Sequence, residues 1–350
     1  MAFNEILMTE KIKIEEQIEE FFNQYLQPGI LNYHFLHQFY SDLKNYILIG
    51  GKRLRPVSLV MIYKGLGGVG EKIYNPAISV ELLHNATLVH DDIIDHDLIR
   101  RGEPSFHAFY TDWFNKNLKQ FSDQTDFGLA MGILGGDLLI DLAQETIINS
   151  NFEPNKKLKA LSYYLMAYKE LVDGVTVESH LQNLPLEKVS ENDYLEMIKG
   201  KTAALFEKSI LIGEVFADED EKYKEELTEF SILLGQSFQI RDDILGVFGD
   251  PKKTGKSVES DIREGKKTLL SIYGSKNSKM NDLYGKKDLS SKEIETVKQL
   301  LIDSGSLEKT KAMALKLSER AREILGSIDL GQIAFTFFNE LVKFVQDRLT

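Results

Sequence analysis

Apolar residues recur at three- and four-residue spacing along almost the whole chain, and that period limits what it can become more than any single motif does. Leu227, Phe230, Leu234 and Phe238 form one such series, and Ile333, Phe337, Leu341 and Phe344 form another. Each series sets its apolar members on one face of a helix. Only seven prolines interrupt 350 residues, and they stand where helices begin or loops turn, as with Pro76 ahead of the run 77–96 and Pro154 after Asn149, Ser150 and Asn151. No Asn-Gly or Asp-Gly pair is flanked by alternating residues, so no hairpin is expected. The reading is an all-α chain of about ten or more mostly antiparallel helices joined by short loops.

No Ser/Gly-rich linker and no repeat divides the sequence, which favours one large helical domain over residues 1–350. Glycines at 65–70 and 132–136 lie inside apolar sequence and read as tight turns or close helix contacts. Residues 273–291, rich in Lys, Ser, Asn, Asp and Gly, read as an exposed loop. Charges at Glu5, Glu10, Lys11, Lys13, Glu15 and Glu16 break up any export signal, and no stretch approaches the roughly 20 apolar residues of a spanning helix. No transmembrane segment and a cytoplasmic location are therefore expected. There are 42 Lys and Arg against 54 Asp and Glu, a net charge of −12, which argues against nucleic acid as a partner. The absence of cysteine removes disulfides, a thiolate nucleophile and Cys-ligated metals from consideration.

The strongest chemical signal is Asp91-Asp92-Ile93-Ile94-Asp95, which closes an apolar-periodic run. On a helix Asp91 and Asp95 share a face one turn apart, with Asp92 beside them, and like charges at that spacing repel. Such a set is either a solvated acidic face or a place for a divalent cation, and oxygen-only ligands suit Mg²⁺. A second group, Gln239, Asp242 and Asp243, ends the apolar tract 227–238, where an unpaired carboxylate is costly to bury. Around these acids lie basic clusters suited to phosphate: 50–56 with Lys52, Arg53 and Arg55, then Arg100-Arg101-Gly102, Lys201-Thr202, Lys256, and Lys266-Lys267-Thr268. Singly each is an ordinary surface group; together they point to a diphosphate bridged by Mg²⁺ to carboxylates. The spacing of the Gly50 loop does not match a nucleotide P-loop, and no GxGxxG follows a strand. His84 lies two helical turns before Asp91, nearly on the same face.

GGKRLRP at 50–56, ELLHNATLVHDDIID at 81–95 continuing to RRGEPSFH at 100–107, KTAALF at 201–206 and the run FQIRDD to GKKT at 238–268 together resemble the trans-type polyprenyl (isoprenyl) diphosphate synthases, in that family's order. The resemblance implies an all-α fold around a deep central cavity, with the two aspartate motifs facing each other at its mouth, and a homodimer. It implies that Lys52, Arg55, His84 and Arg101 bind the diphosphate of isopentenyl diphosphate. Arg100, Lys201, Thr202, Gln239, Lys256 and Lys266 would bind the allylic diphosphate. Asp91, Asp95 and Asp242 would ligate Mg²⁺, up to three ions, with Asp92 and Asp243 in support; these five aspartates and Lys201 form the implied catalytic set. The second motif departs from the pattern, with Gly246 where many members have a third Asp, and Gly174, Val175 and Glu178 stand where a Gln and an Asp are common.

The expected reaction is the condensation of isopentenyl diphosphate with dimethylallyl, geranyl or farnesyl diphosphate. Thr87 and Ala86, four and five residues before the first aspartate, stand where short-chain members usually place an aromatic ring. A small residue there leaves the chain-length pocket open at Ala86, Thr87 and Leu83, so a product of at least geranylgeranyl size is expected; the floor would be Leu83, Leu82, Ser79, Phe127 or Met131. The alternatives are a farnesyl diphosphate synthase or a non-catalytic subunit of a heteromeric synthase. Terpene cyclases and squalene-type enzymes lack the 50–56 loop.

Overall fold

The computed structural model describes residues 3–118, 123–217, 222–249 and 259–347. It is all-α, as the periodicity predicts. The helices are α1 Phe3–Tyr25, α2 His34–Leu48, α3 Leu54–Gly65, α4 Tyr74–Ile94, α5 Phe106–Asn117, α6 Gln124–Ile148, α7 Pro154–Gln182, α8 Glu191–Ile198, α9 Ala204–Phe216 and α10 Lys224–Phe248. Six more follow: α11 Ser260–Glu264, α12 Leu269–Gly274, α13 Ser278–Leu283, α14 Ser291–Asp303, α15 Ser306–Leu325 and α16 Gln332–Gln346. Two compact units share the chain, one made of residues 1–164 and 212–220, the other of 165–211 and 221–350. None of the helices is long and apolar enough to cross a membrane.

In the first unit α4 packs along α6, and the glycines of α6 set the spacing. A Cβ at Gly136 would lie 2.1 Å from His90 Nε2, one at Gly132 2.6 Å from Ile93 Cδ1, and one at Gly128 2.1 Å from Thr111 Oγ1 of α5. Residues 128, 132 and 136 repeat every fourth position, so they line one helix face and let two neighbours approach. This is the close helix contact expected of 132–136. Gly67 and Gly70, at φ +91° and +81°, are instead the tight turn after α3. Rings from Phe35 and Phe39 of α2, Phe106, Tyr110 and Trp113 of α5 and Phe127 of α6 meet in one cluster, edge-on or tilted except for the stacked pair Trp113 and Phe127. Phe127 is thus held among aromatic neighbours.

The expectation of no hairpin is corrected here. Ile99–Arg100 pairs antiparallel with Glu103–Pro104, and the two-residue loop between them has φ +56° at Arg101 and +83° at Gly102. Positive φ at both positions is what a two-residue hairpin with matching twist requires. An Arg in the first of them hides the turn from a search for Asn-Gly or Asp-Gly.

In the second unit α10 and α15 pack together, and Ser237 Oγ donates to the Ala314 carbonyl at 2.8 Å. Ile240, Ile244 and Val247 of α10 join Ile262, Leu269, Met280, Val297, Leu301 and Ala314 in the core. Capping boxes at Ser190 with Asp193 and at Ser290 with Glu293 start α8 and α14. The segment 273–291 is not simply a loop: α13 lies within it, capped by Asn277, and Met280 is fully buried. One apolar anchor among polar residues carries no periodic signal.

Candidate active site

The first aspartate motif lies at the end of α4. Asp91 and Asp92 occupy its last turn and Asp95 is its C-cap. Beyond it His96 adopts φ +57°, while His96 N donates to the Ile93 carbonyl and Asp97 N to the Asp92 carbonyl at 2.9 Å. That pair of bonds is the Schellman arrangement, with His in the left-handed place usually taken by glycine. Three carboxylates therefore gather at the negative end of a helix dipole, where cations are favoured and anions are not. Asp95 is exposed and makes no ion pair with any described residue.

Asp92 is different. It is fully buried, takes two hydrogen bonds from the Arg100 guanidinium, the Nε one at 2.7 Å, and a longer one from Tyr46 Oη at 3.3 Å. Burial raises its carboxyl above the ordinary range, and the Arg100 hydrogen bonds oppose that rise. The hairpin after α4 makes this pairing: Arg100 leaves it toward Asp92, while Arg101 donates to the Ile49 carbonyl at 2.9 Å. Arg101 also approaches the Gly50-Gly51 loop, whose Gly51 would place a Cβ 3.5 Å from its guanidinium.

His84 lies inside this basic group. Burial, followed by the fields of Arg55, Arg101, Arg53 and Arg100, holds its imidazole well below the usual range, so it is neutral. Of the residues expected at isopentenyl diphosphate, the structure thus brings Arg55, His84 and Arg101 together, and Lys52 is an exposed residue of the same loop. Ala86 and Leu83 are buried on α4, and Thr87 is partly exposed. The three non-glycine residues with positive φ among those described, Arg53, His96 and Arg101, all border this site. Such strain collects where surrounding structure enforces it for function.

In the second unit, α10 carries Gln239, Asp242 and Asp243. Tyr194 Oη of α8 donates to Asp243 at 2.6 Å, Gln239 Nε2 donates to the same carboxyl at 2.8 Å, and Thr202 Oγ1 donates to Gln239 Oε1 at 2.7 Å. Desolvation pushes Asp243 up to about 7, and nearby Asp261 adds to the rise against the Tyr194 and Gln239 hydrogen bonds. Asp242 instead accepts from the guanidinium of its buried neighbour Arg241. Lys201 sits in a π-helical turn, 199–203, that packs on α7: a Cβ at Gly174 would lie 2.3 Å from Lys201 N. Its ammonium pairs with Glu178. Lys266 pairs with Asp261 at 3.0 Å and Glu264 at 3.4 Å. Lys256 falls outside the described residues.

Gly246 answers to its neighbour. A Cβ there would lie 2.2 Å from Asp261 Oδ2, so the carboxylate of α11 occupies the place where a side chain at 246 would begin. Tyr46, Tyr194, Arg241 and Asp261 are the site residues that motif reading passed over. Tyr46 follows Phe39 and Leu43 at helical spacing and reads as core, and Tyr194 has no sequence link to Asp243.

Among the described residues no three His, Asp or Glu side chains gather into a protein-only metal cage. Mg²⁺ does not need one, since it takes one or two carboxylates and completes its shell with water and phosphate. Asp95, exposed at the negative end of α4 and without an ion pair among the described residues, fits such an ion.

A family model for polyprenyl synthetases matches residues 37–301. The geranylgeranyl diphosphate synthase of Saccharolobus solfataricus is 37% identical over 287 residues, 80% of each chain. A geranylfarnesyl diphosphate synthase of Aeropyrum pernix is 36% identical over 81% of this chain and 85% of its own. The crystal structure of geranylgeranyl pyrophosphate synthetase from Pyrococcus horikoshii superposes with a TM-score of 0.81 at 32% identity, covering 99% of this chain and 98% of that one. With both aspartate motifs and the basic group around His84 in place, the chain belongs to the polyprenyl synthetase family and is a prenyl-transferring enzyme.

Proposed function

We propose that this enzyme condenses isopentenyl diphosphate with an allylic diphosphate to give an all-trans product of geranylgeranyl length or longer. The observation that carries the reading is the set of arginines around a neutral, partly buried His84, beside an aspartate triplet whose Asp95 has no counter-cation among the described residues. In an acidic chain, that is a local site for a diphosphate. The allylic C–O bond breaks with its electron pair going to the diphosphate oxygen. The double bond of isopentenyl diphosphate then attacks the allylic cation, and a proton is lost to the released diphosphate. Positive side chains fixed at the leaving group stabilise its growing charge without reorganising, usually the largest single catalytic contribution.

Asp91, Asp95 and Asp242 are the oxygens we assign to Mg²⁺, which supplies further charge neutralisation when bound. Lys52, Arg55, His84 and Arg101 would take isopentenyl diphosphate; Arg100, Lys201, Thr202, Gln239, Lys256 and Lys266 would serve the allylic diphosphate. Asp92 holds Arg100 in place for that task. The product length rests on the small Ala86 on α4, and on relatives named for geranylgeranyl and geranylfarnesyl products. A homodimer is supported by α6, which leaves Ile133 and Leu134 about half exposed. Exposed apolar side chains on one helix suit a second copy.

The test is incubation with labelled isopentenyl diphosphate, Mg²⁺ and each of dimethylallyl, geranyl and farnesyl diphosphate, followed by sizing of the products. Chains of twenty carbons or more are expected. Failure to elongate any starter favours the non-catalytic subunit, and arrest at farnesyl diphosphate overturns the length. Ala86→Phe should shorten the product; an unchanged distribution removes Ala86 from the pocket wall.

A further inference from the structure

Arg53 stands in the sequence between Lys52 and Arg55, the two loop residues that the proposed function places on isopentenyl diphosphate. Lys52 is exposed, but Arg53 is buried. Its guanidinium directs three donors at three helices. Nε donates to Glu15 of α1 at 3.1 Å, one terminal nitrogen to Glu81 of α4 at 2.6 Å, and the other to the Ile47 carbonyl near the end of α2 at 2.6 Å. Glu81 is itself buried and also accepts from Asn85 at 3.0 Å. Two carboxylates thus surround one guanidinium, and its charge is spent inside the protein.

The backbone at Arg53 is the reason such an anchor matters. It adopts φ +53°, ψ +30° at the N-cap of α3, and its carbonyl accepts the first bond of that helix, from Val57 N at 3.0 Å. A non-glycine residue is strained in this region and persists only where its surroundings enforce it. The preceding loop lies against the same guanidinium: a Cβ at Gly51 would meet an Arg53 terminal nitrogen at 3.0 Å. The anchor therefore fixes the turn on which Lys52 and Arg55 are mounted. A planar fork with donors on several edges reaches three acceptors at once, which the point-like ammonium of lysine does not.

We propose that Arg53 is a positioning residue for the isopentenyl diphosphate site, acting through Glu15, Glu81 and the Ile47 carbonyl rather than by touching the diphosphate. The inference rests on the assignment of Lys52 and Arg55 to that substrate. Its test compares full-length wild type with Arg53→Gln, Arg53→Lys and Lys52→Ala. The measurements are KM for each substrate, kcat, calorimetric binding of isopentenyl diphosphate alone, and melting temperature.

Arg53→Gln should raise KM and Kd for isopentenyl diphosphate roughly tenfold while kcat and the allylic KM stay within about twofold, a pattern showing lost binding of one substrate. Arg53→Lys, which keeps charge and one contact, should fall between. A lowered melting temperature with unchanged KM and Kd, or equal rises for both substrates, shows a merely structural role and overturns the proposal. If Lys52→Ala raises KM and Kd and the Arg53 variants do not, the proposal falls and the site assignment stands. If Lys52→Ala changes neither, the assignment falls and takes the proposal with it. Should the Arg53 variants not fold, Glu15→Gln at the partly exposed end of the anchor carries the test. A twofold or greater rise in both constants is then expected, and no change overturns the proposal.

Discussion

The two aspartate pairs look alike in sequence and are held by opposite means. In Asp91-Asp92 the second carboxylate is buried against a cation, Arg100, with Tyr46 as a weaker partner. In Asp242-Asp243 the second carboxylate meets two neutral donors, Tyr194 and Gln239, and the cation, Arg241, goes to the first. Burial raises both carboxyls; at Asp92 hydrogen bonds from a cation oppose the rise, whereas at Asp243 the hydrogen-bond donors are neutral. Asp92 is thus half of an ion pair that fixes an arginine, and Asp243 is a polar strut that holds a proton near neutrality. Identical letters in two motifs carry different work, and only the residues that fold against them decide which.

The first members of the pairs should show the largest effects. Asp91→Ala and Asp242→Ala each remove an oxygen assigned to Mg²⁺ and should cut kcat by roughly 10²–10³-fold, the usual scale for losing one electrostatic stabiliser of a leaving group. Helical content measured by circular dichroism should not change. Full activity in either variant would remove that aspartate from the metal set. The second members separate next. Asp92→Asn leaves the partly exposed Arg100 with Asp97 at 3.6 Å as its remaining carboxylate and should cost about 2 kcal/mol in urea unfolding. Asp243→Asn keeps an acceptor for Tyr194 and should cost less than about 1 kcal/mol. Equal losses would mean that the two supports are equivalent after all.

The part of this contrast that the sequence discloses is its frame. Helical period placed Leu227, Phe230, Leu234 and Phe238 on one face and brought Asp242 and Asp243 to the end of that tract, because apolar spacing is a local property. The basic group around His84 was legible for the same reason: Arg55, His84 and Arg101 sit in compact motifs. The partners were not. Tyr46 and Tyr194 reach their aspartates across 46 and 49 positions of chain. Arg100 reads as a basic residue of a phosphate cluster, and its bond to Asp92 comes from the hairpin built on a left-handed Arg101, which spacing does not encode. Arg53 reads as one more basic residue in a loop, and its inward direction follows from a backbone angle that no spacing encodes.

Gly246 sharpens the contrast at smaller scale. The first motif has its third carboxylate at Asp95, one turn on, but at the matching place in the second the chain has no side chain and Asp261 fills the space from α11. Installing the missing carboxylate as Gly246→Asp should therefore not improve the site. The new Cβ would displace Asp261, break its 3.0 Å pair with Lys266 and set two like charges together. Overpacking of this kind costs typically about 1–3 kcal/mol. The check is the unfolding midpoint together with the KM for the allylic substrate, which should rise. A variant as stable as wild type with a lower KM would show that Asp261 does not stand in for the absent residue.

A pH dependence separates Asp243 from His84 by its sign. Asp243 has its folded value raised to about 7, so between roughly pH 4 and 7 the folded chain holds a proton that the unfolded chain has released. Its contribution to stability is greatest at the acidic end and is lost as pH rises through that window. His84 has its folded value depressed, so below about pH 6.5 the unfolded chain takes up a proton that the folded chain refuses. Its contribution is complete above that pH and is lost as pH falls. In metal-free buffer, the stability of wild type minus Asp243→Asn should decline with rising pH over this range, and that of wild type minus His84→Gln should climb. Among the described residues, the groups that act on Asp243 include Tyr194, Gln239, Asp261 and Lys266, with Tyr284 also coupled to it, and those that act on His84 include Arg53, Arg55, Arg100 and Arg101. Two slopes of the same sign would show that burial does not shift Asp243 and His84 in opposite directions, and the reading of Asp243 as a protonated strut would then rest on geometry alone.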